Sequence, residues 1–283
     1  MITLPPNIVI EPLLQEWLRE DLGRGDRATS ALTESNNPQQ EATWLAKQPG
    51  VIAGLPFAEK IFGFLGEIDW HPQVKEGSCC TEKQEILRCR AQANTLLSGE
   101  RVALNLVMHL SGIATLTQRY TEMIADLPTQ LVDTRKTTPG LRMLEKYAVQ
   151  VGGAVNHRFG LDDAAMIKEN HIRVAGGVQS AIAQVRSRLP YPLTIEVETT
   201  IPSEVEEALA TDVDIIMLDN MSPSLMVEMV GLIRNSKKGI KIEASGNITL
   251  DTIREVAQTG VDYISTSAPI TQASWLDLSM KLL

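Results

Sequence analysis

The chain has 283 residues, 43% of them hydrophobic, which is enough for a large folded core and argues against a disordered protein. Its formal net charge of −9 disfavours nucleic acid or an anionic membrane surface as the main partner, because the overall field repels polyanions. Any anionic substrate must therefore be bound by a local cluster of basic residues.

The N-terminus lacks the basic start and long apolar run of a secretory signal. The most apolar helix candidate, Leu104–Leu116, is too short to span a bilayer. Cys79, Cys80 and Cys89 are an odd set without metal-ligand spacing, so a redox or metal role is the disfavoured alternative. Together these features predict a cytoplasmic protein with reduced thiols.

The first third of the chain mixes helices and strands and predicts a small α+β domain. The apolar spacing predicts helices at Pro12–Leu22 and Phe57–Leu65, and strands at Ala42–Ala46, Val51–Ala53 and Ile86–Ala91. A long helix is predicted from Ala93 towards Met123, with a break near Ser111–Gly112.

From about residue 129 buried strands alternate with amphipathic helices. The predicted strands are Gln130–Asp133, Ala165–Lys168, Leu193–Glu198, Asp214–Leu218, Lys241–Ala244 and Tyr263–Ser265. The helices predicted between them are Leu141–Val151, Val178–Leu189, Pro202–Ala210, Ser222–Asn235 and Leu250–Thr259. This alternation predicts a parallel sheet with right-handed crossovers. An open doubly wound sheet is the alternative, but its glycine-rich dinucleotide turn is missing, so a closed or nearly closed α/β barrel is favoured.

Polar residues follow each predicted strand of this second half. They are Asp133 with Arg135 and Lys136, then Lys168, Glu196 with Glu198, Asp219 with Asn220, Glu243 with Ser245, and Ser265 with Ser267. Catalytic groups of parallel barrels converge at this end of the strands, so the pattern predicts an active site. A structural network of ion pairs is the alternative for any single residue.

The charges divide into two sides. The basic residues that follow the first two strands are Arg135, Lys136, His157, Arg158, Lys168 and His171. They suit a substrate with several carboxylates or phosphates, because arginine pairs with such groups in a forked geometry. Glu198 and Asp219, after the next two strands, suit a divalent cation or a developing positive charge. Mg²⁺ with a pyrophosphate-bearing substrate is therefore predicted.

The last two strands predict a phosphate-binding loop. The run EASGNIT places Ser245, Gly246 and Asn247 just before a predicted helix, where backbone amides can face an anion. Ser265 and Ser267 lie at the next strand end, as in the phosphate sites of late barrel strands.

Several blocks of the sequence share a pattern with one enzyme family. They are Glu20–Ser30, Gly99–Thr117, Asp133–Asp163, Met166–Ile172, Ile195–Glu198, Ile215–Met221 and Ile242–Ile248. On these blocks the chain resembles the quinolinate phosphoribosyltransferase family. The resemblance implies a fold in the α/β class, with an N-terminal α/β sandwich domain (1–115, with the tail 273–283 packing back on it) and an incomplete parallel α/β barrel (116–272).

The resemblance also implies the activity and the site. The reaction joins quinolinate to phosphoribosyl pyrophosphate and releases pyrophosphate and CO₂, a step of NAD biosynthesis. It implies a homodimer in which Arg101 reaches the site of the other subunit. The basic residues would hold quinolinate and the phosphates, Lys136, Glu198 and Asp219 would be catalytic, and Ser245 with Gly246 would bind the 5′-phosphate. Glu198 and Asp219 would face the ribose and Mg²⁺. One departure concerns Ser267 and Thr271, which stand where the family often has glycine and histidine.

Three rival functions are left by the sequence. A relative with the same fold would act on nicotinate or a molybdate-linked acceptor, although one carboxylate would leave some cations of the basic side unpaired. A Schiff-base aldolase would use Lys136 or Lys168, but that leaves the basic cluster unexplained. A barrel without activity would serve as an interaction module.

Overall fold

A computed structural model of the protein describes residues 3–236 and 238–283, which form two compact units. The first unit takes in the chain up to Gln118, Met143–Gly153 and Gln272–Leu283. The second takes in Arg119–Arg142 and Ala154–Thr271. No helix within the described residues is long and apolar enough to cross a membrane.

Helices and strands follow one another along the chain. The helices are α1 (Asn7–Leu22), α2 (Arg27–Thr33), α3 (Leu55–Gly63), α4 (Ala93–Glu122), α5 (Arg142–Val151), α6 (Glu169–Ala175), α7 (Val178–Arg186), α8 (Pro202–Leu209), α9 (Pro223–Asn235), α10 (Ile253–Gln258) and α11 (Ala268–Thr271). The strands are β1 (Gln39–Ala46), β2 (Gly50–Val51), β3 (Ile68–Pro72), β4 (Cys79–Cys80), β5 (Glu85–Gln92), β6 (Gln130–Val132), β7 (Ala165–Ile167), β8 (Ile195–Thr199), β9 (Ile215–Asp219), β10 (Lys241–Ser245), β11 (Tyr263–Ser265) and β12 (Leu278–Leu282).

The first unit is built on an antiparallel sheet with the strand order β12-β1-β5-β3. Trp44 of β1 is fully buried and meets Phe62 of α3 and Trp70 of β3 edge to face, with ring centroids 6.2 and 6.1 Å away. β12 pairs with β1, with Leu282 opposite Ala42, so the C-terminal strand completes one side of this sheet.

α4 is one continuous helix of 30 residues, so the break predicted near Ser111–Gly112 is wrong. The Ser111 hydroxyl donates to the Ala53 carbonyl oxygen (3.2 Å) and accepts the Ala53 N–H (2.9 Å), which satisfies it without interrupting the helix. A Cβ at position 112 would lie 2.1 Å from the carbonyl oxygen of Ser274. Gly112 therefore permits a close approach of two segments, at a cost of about 1 kcal/mol in helix propensity.

The second unit holds a six-stranded parallel sheet in the order β6-β11-β10-β9-β8-β7. β6 and β7 lie at its two ends, and within the described residues the β6 edge is extended by a short parallel bridge between Val132 and Val155. The predicted fold class, an α/β sandwich followed by an incomplete parallel α/β barrel, is confirmed.

The alternation of side chains along these strands separates two faces. One face carries fully buried apolar side chains, namely Val197, Ile216, Leu218, Ile242, Ala244 and Ile264. The other face carries the residues between them, including Glu196, Glu198, Asp219, Glu243 and Ser245. The charged side chains of β8, β9 and β10 are therefore gathered on a single face of the sheet.

Candidate active site

The strand register places polar side chains side by side at the C-terminal edge of the parallel sheet. Asp219 of β9 is paired with Ser245 of β10, and Ser245 is paired with Ser265 of β11. Glu198 of β8 is paired with Met217, which precedes Asp219 by one step on the same face. Glu198, Asp219, Ser245 and Ser265 are thereby brought together.

The carboxyl groups of Glu198 and Asp219 influence one another. Burial raises the pKa of Asp219 above its ordinary value of 3.8, and the negative charge of Glu198 raises it further. The amide of Asn220, which donates to Asp219 Oδ2 at 2.7 Å, and the charges of Lys168 and Lys136 act in the opposite direction. Two lysines of the predicted basic side and both carboxylates of the predicted acidic side therefore share one site.

The loops that follow β6 and the Val155 bridge carry Arg135 and Arg158, two arginines whose positive charges act on one another. Burial lowers the pKa of Arg158, and the positive charge of Arg135 lowers it further. Arg142 ties the two loops to each other, because its guanidinium donates to the carbonyl oxygens of Arg135 (3.4 Å) and Phe159 (3.0 Å). Neighbouring guanidinium groups suit a ligand with more than one carboxylate.

Lys168 and His171 lie where β7 meets α6. The Lys168 ammonium group donates to Glu198, and the two side chains are 48% and 16% exposed. His171 is exposed, and its Nδ1 accepts the backbone N–H of Lys168 at 3.0 Å, so the ring helps to begin α6. An ion pair with a half-exposed partner contributes at most about 1 kcal/mol to the stability of the fold. Stability alone therefore explains poorly why Lys168 and Glu198 are placed together.

His157 lies beside two buried carboxylates that come from β8 and β10, the two strands that flank β9. Its Nε2 lies 3.1 Å from Glu196 Oε2 and 3.4 Å from Glu243 Oε2. Glu196 and Glu243 are 2% and 3% exposed, and within the described residues the second oxygen of each has no hydrogen-bond partner. The three ligand atoms lie within 4.8 Å of one another, a spacing that a divalent cation also accepts.

Two contacts of His157 favour different charge states. Burial lowers its pKa, but the hydrogen bonds to Glu196 and Glu243 and their charges outweigh burial and raise the pKa to about 10. Against this, Nδ1 accepts the backbone N–H of Arg158 at 2.7 Å, which requires an unprotonated Nδ1. An imidazolium would place two donors against each other at that distance, so we favour the neutral ring with its proton on Nε2.

The loop after β10 turns through residues with positive φ, and so does the end of the neighbouring strand β9. Gly246 has φ +99°, Asn247 has φ +52°, and Asn220 at the end of the neighbouring strand has φ +55°. The Asn247 side-chain amide donates to Asn220 Oδ1 (3.1 Å), and the Asn220 N–H donates to the Ser245 carbonyl oxygen (2.9 Å). Successive amides in such conformations form concavities that bind phosphate.

The helix predicted to begin at Leu250 begins three residues later, at Ile253. A turn precedes it, in which the Thr249 N–H donates to Thr252 Oγ1 at 2.9 Å. The backbone amides available to a ligand beside Gly246 are therefore those of the loop, not those of the short helix α10.

The last predicted phosphate loop follows β11. Ser265 is 3% exposed and Ser267 is half-buried. The Ser267 carbonyl oxygen accepts the N–H of Ile270 (3.0 Å) and both the N–H (2.9 Å) and the hydroxyl (3.0 Å) of Thr271. Ser267 and Thr271, the departure from the family pattern, are thus joined within the single turn of α11.

Arg101 is exposed and lies on α4 in the first unit. The other predicted site residues all belong to the second unit.

Further contacts of the predicted substrate-binding residues come from Asn220, Arg142, Glu196 and Glu243. Glu196 and Glu243 were recognisable from the patterns Glu-x-Glu and Glu-x-Ser, because residues two apart in a strand share a face. Asn220 was likewise among the polar residues that follow the predicted strands, but its contact with Asn247 and the contact of Arg142 with Arg135 depend on loop conformation, for which the sequence offers no signal.

Relatives of the chain extend over its whole length. The family models for "Quinolinate phosphoribosyl transferase, N-terminal domain" and "C-terminal domain" match residues 27–111 and 113–281. "Probable nicotinate-nucleotide pyrophosphorylase (carboxylating)" of Synechocystis sp. is 55% identical over 283 residues, covering 100% of this chain and 95% of the relative. "Nicotinate-nucleotide pyrophosphorylase (carboxylating)" of Homo sapiens is 37% identical over 284 residues, covering 99% and 94%.

Solved structures show the same similarity. NadC from Streptococcus pyogenes has a TM-score of 0.94 and 41% identity, with 99% of both chains covered. The nicotinate-nucleotide pyrophosphorylase from Francisella tularensis has a TM-score of 0.93 and 34% identity, with 100% of this chain and 99% of that chain covered.

Proposed function

Because the chain belongs to the quinolinate phosphoribosyltransferase family, we propose that it joins quinolinate to phosphoribosyl pyrophosphate and releases pyrophosphate and CO₂. The product would be nicotinate mononucleotide, a precursor in NAD biosynthesis. The observation that carries the proposal is the meeting of cationic and anionic side chains at one edge of the parallel sheet, where Lys168 donates to Glu198.

The basic side recognises the acceptor. The charges of Arg135 and Arg158 act on one another, and the charges of Lys136 and Lys168 act on the same carboxylate, Asp219. A pyridine with two carboxylates neutralises more of these cations than nicotinate, which has one. His157 and His171 complete this side. Unpaired cations in a desolvated site are costly, so the dicarboxylate is the better substrate.

Phosphate groups of the second substrate are bound at the other strand ends. The amides around Ser245 and Gly246, with Ser265 and Ser267 beside them, would hold the 5′-phosphate. Glu198 and Asp219 would face the ribose, where negative charge stabilises the positive charge that develops at C1. Lys136 and Lys168 would stabilise the departing pyrophosphate.

Glu198 and Asp219 fit a Mg²⁺ ion, which we include in the proposal. Each carboxylate of this pair would be relieved of the repulsion that raises the pKa of Asp219. When bound, the ion would neutralise charge on the pyrophosphate oxygens.

The reaction itself needs oriented groups rather than a covalent nucleophile. The bond between ribose C1 and pyrophosphate breaks with both electrons on oxygen, and the lone pair of the pyridine nitrogen forms the new C1–N bond. The nitrogen becomes a pyridinium, so the electrons of the C2–carboxylate bond stay on C2 as CO₂ leaves. A proton from solvent then replaces the carboxylate.

We further propose a homodimer in which Arg101 of the partner subunit completes each site. The exposure of Arg101, a residue type that pairs well with carboxylates, supports this assignment. We also assign the enzyme to the cytoplasm, which the free thiols of Cys79, Cys80 and Cys89 support.

A product assay tests the proposed reaction. The wild type and Lys136→Ala would each be mixed with phosphoribosyl pyrophosphate, Mg²⁺ and either quinolinate or nicotinate. We expect mononucleotide from quinolinate with the wild type only. Turnover of nicotinate alone would contradict the assignment of the dicarboxylate, and turnover of neither acceptor would contradict the reaction.

A further inference from the structure

The His157 cluster, defined as His157, Glu196 and Glu243, joins a half-buried histidine of the basic side to two buried carboxylates. Its two carboxylates come from β8 and β10, and each lies one step before a predicted site residue on the same face, Glu198 and Ser245. Burying a carboxylate costs free energy of desolvation unless the group is hydrogen-bonded or paired with a positive charge. The cluster therefore requires an explanation that goes beyond the packing of the sheet.

One nitrogen of the His157 ring faces two carboxylates and the other accepts a backbone N–H. Glu196 and Glu243 both approach Nε2, at 3.1 and 3.4 Å, so a proton on that nitrogen satisfies both. Nδ1 is thereby left to accept the backbone N–H of Arg158 at 2.7 Å. The carboxylates thus select one tautomer, and that tautomer binds the backbone of the next residue.

These hydrogen bonds connect the two carboxylates, through the His157 ring, to the backbone of Arg158. Its guanidinium donates to the Ala164 carbonyl oxygen at 2.9 Å. The backbone at its N–H and the tip of its side chain are therefore both held. A bidentate arginine discriminates by direction as well as by charge, so its backbone has to be fixed before the ligand arrives.

We propose that Glu196 and Glu243 are positioning residues: they hold His157 in the tautomer that accepts the Arg158 amide, and so aim the Arg158 guanidinium at a carboxylate of the acceptor. The proposal rests on the proposed function for the identity of that acceptor. It predicts that the cluster affects binding of quinolinate and leaves binding of phosphoribosyl pyrophosphate unchanged.

The variants Glu196→Gln and Glu243→Gln keep the shape of each side chain and remove its charge. A glutamine can turn its NH₂ towards Nε2, which favours the other tautomer and breaks the contact with the Arg158 amide. We expect the KM for quinolinate to rise about tenfold in each variant, the scale of one hydrogen bond to a charged group. The KM for phosphoribosyl pyrophosphate should change by less than about twofold.

The matched control is Glu206→Gln, which removes one negative charge from an exposed position of α8. Neither KM should change in this variant. Equal losses for both substrates together with a lower melting temperature would assign the cluster to folding alone and overturn the proposal. Stoichiometric Zn²⁺ binding by the wild type, lost in both variants, would overturn it in favour of a metal site.

A second readout does not depend on turnover. Long-range ¹H–¹⁵N spectra of the histidine rings report which nitrogen is protonated, and the signals of His157 are those missing from His157→Gln. We expect a protonated Nε2 in the wild type and a changed pattern in the Gln variants. An unchanged ring in both variants would overturn the positioning role. If the wild type fails to use quinolinate, the proposed function fails, while these spectra still decide whether the carboxylates orient the ring.

Discussion

Gly246 combines a left-handed backbone with a close neighbour. Its φ is +99°, and a Cβ there would lie 2.2 Å from Asn220 Oδ1 and 2.9 Å from the Asn220 backbone nitrogen. We expect Gly246→Ala to cost about 1–3 kcal/mol of unfolding free energy, because an alanine is strained at this φ. Its KM for phosphoribosyl pyrophosphate should also rise. Chemical denaturation and initial-rate kinetics measure the two effects.

Gly231→Ala is the matched control for that substitution. Gly231 lies in α9, and a Cβ there meets no atom within 4 Å. The same added methyl group should stabilise the protein by about 0.5–1 kcal/mol and leave both KM values unchanged. Equal behaviour of the two alanine variants would contradict the role given to the loop after β10.

Asn220 connects the carboxylate side of the site with the phosphate loop. Its amide donates to Asp219 and its Oδ1 accepts from the Asn247 amide. The backbone of Asn220 has a φ of +55°. Asn220→Gly removes the amide and keeps this φ accessible, whereas Asn220→Ala removes the amide and adds strain of about 1–2 kcal/mol. We expect both variants to raise the KM for phosphoribosyl pyrophosphate about tenfold, with the larger loss of stability in the alanine variant. A normal KM in the glycine variant would show that only the backbone matters.

The sequence predicted many of the individual residues that the structure brings together. Glu198, Asp219, Ser245 and Ser265 follow apolar strand runs, and parallel strands necessarily gather such residues at one edge. Contacts such as that between Asn220 and Asn247 were beyond reach, because loop conformations at positive φ depend on the neighbouring strand.

At the scale of elements, the start of α3 depends on a carboxylate from a distant loop. Glu76 accepts the backbone N–H groups of Gly54 and Leu55 and the hydroxyl of Tyr147. Burial raises the pKa of Glu76 above 4.5, and these hydrogen bonds oppose the rise. The carboxylate occupies the place of a helix cap, since it satisfies amides that have no partner inside the helix.

This raised pKa predicts a dependence of stability on pH. A carboxyl group with a raised folded-state pKa favours folding below its unfolded value near 4.5, and this contribution is lost as the pH rises through the folded value. The free energy of unfolding of the wild type should therefore fall relative to that of Glu76→Gln as the pH is raised above about 4.5. Urea denaturation of both proteins over a pH series measures the difference. If the free energy of unfolding of the wild type instead rose relative to that of Glu76→Gln as the pH was raised, the predicted direction would be wrong.

Predicted and observed elements agree best in the second half. Its strands are short apolar runs between helices of regular spacing, which is the strongest pattern a sequence offers for parallel sheets. The elements that had no prediction are β3, β4, β12, α2, α6 and α11. They are short, and β3 and β12 are partly exposed edge strands whose pairing depends on β5 and β1. The break predicted in α4 was wrong because the glycine at position 112 allows close packing against Ser274 and does not interrupt the helix.

For the whole molecule, the shared active site of the proposed homodimer is testable with hybrid proteins. Arg101→Ala and Lys136→Ala subunits should each be inactive alone. After denaturation and joint refolding, about half of the dimers should be hybrids with one intact site of two, which restores about a quarter of wild-type activity. Mixing Lys136→Ala with Lys168→Ala is the control and should restore nothing, because both residues belong to the same unit. No recovery in the first mixture would count against shared sites.

The limits of the two domains, 1–115 and 116–272, stay a prediction. The observed units divide the chain differently in detail, since Met143–Gly153 belongs to the first unit. A segment that leaves one unit and returns to it has no signature in composition or hydrophobic spacing, so contacts were needed to detect it.

The central claim is that one edge of the parallel sheet performs both phosphoribosyl transfer and decarboxylation of a dicarboxylate. The most direct measurement uses quinolinate labelled with ¹³C in the carboxylate at C2, together with phosphoribosyl pyrophosphate and Mg²⁺. We predict that labelled CO₂ and nicotinate mononucleotide appear in equal amounts, with the mononucleotide unlabelled. A mononucleotide that retains the label, or labelled CO₂ without mononucleotide, would contradict the account.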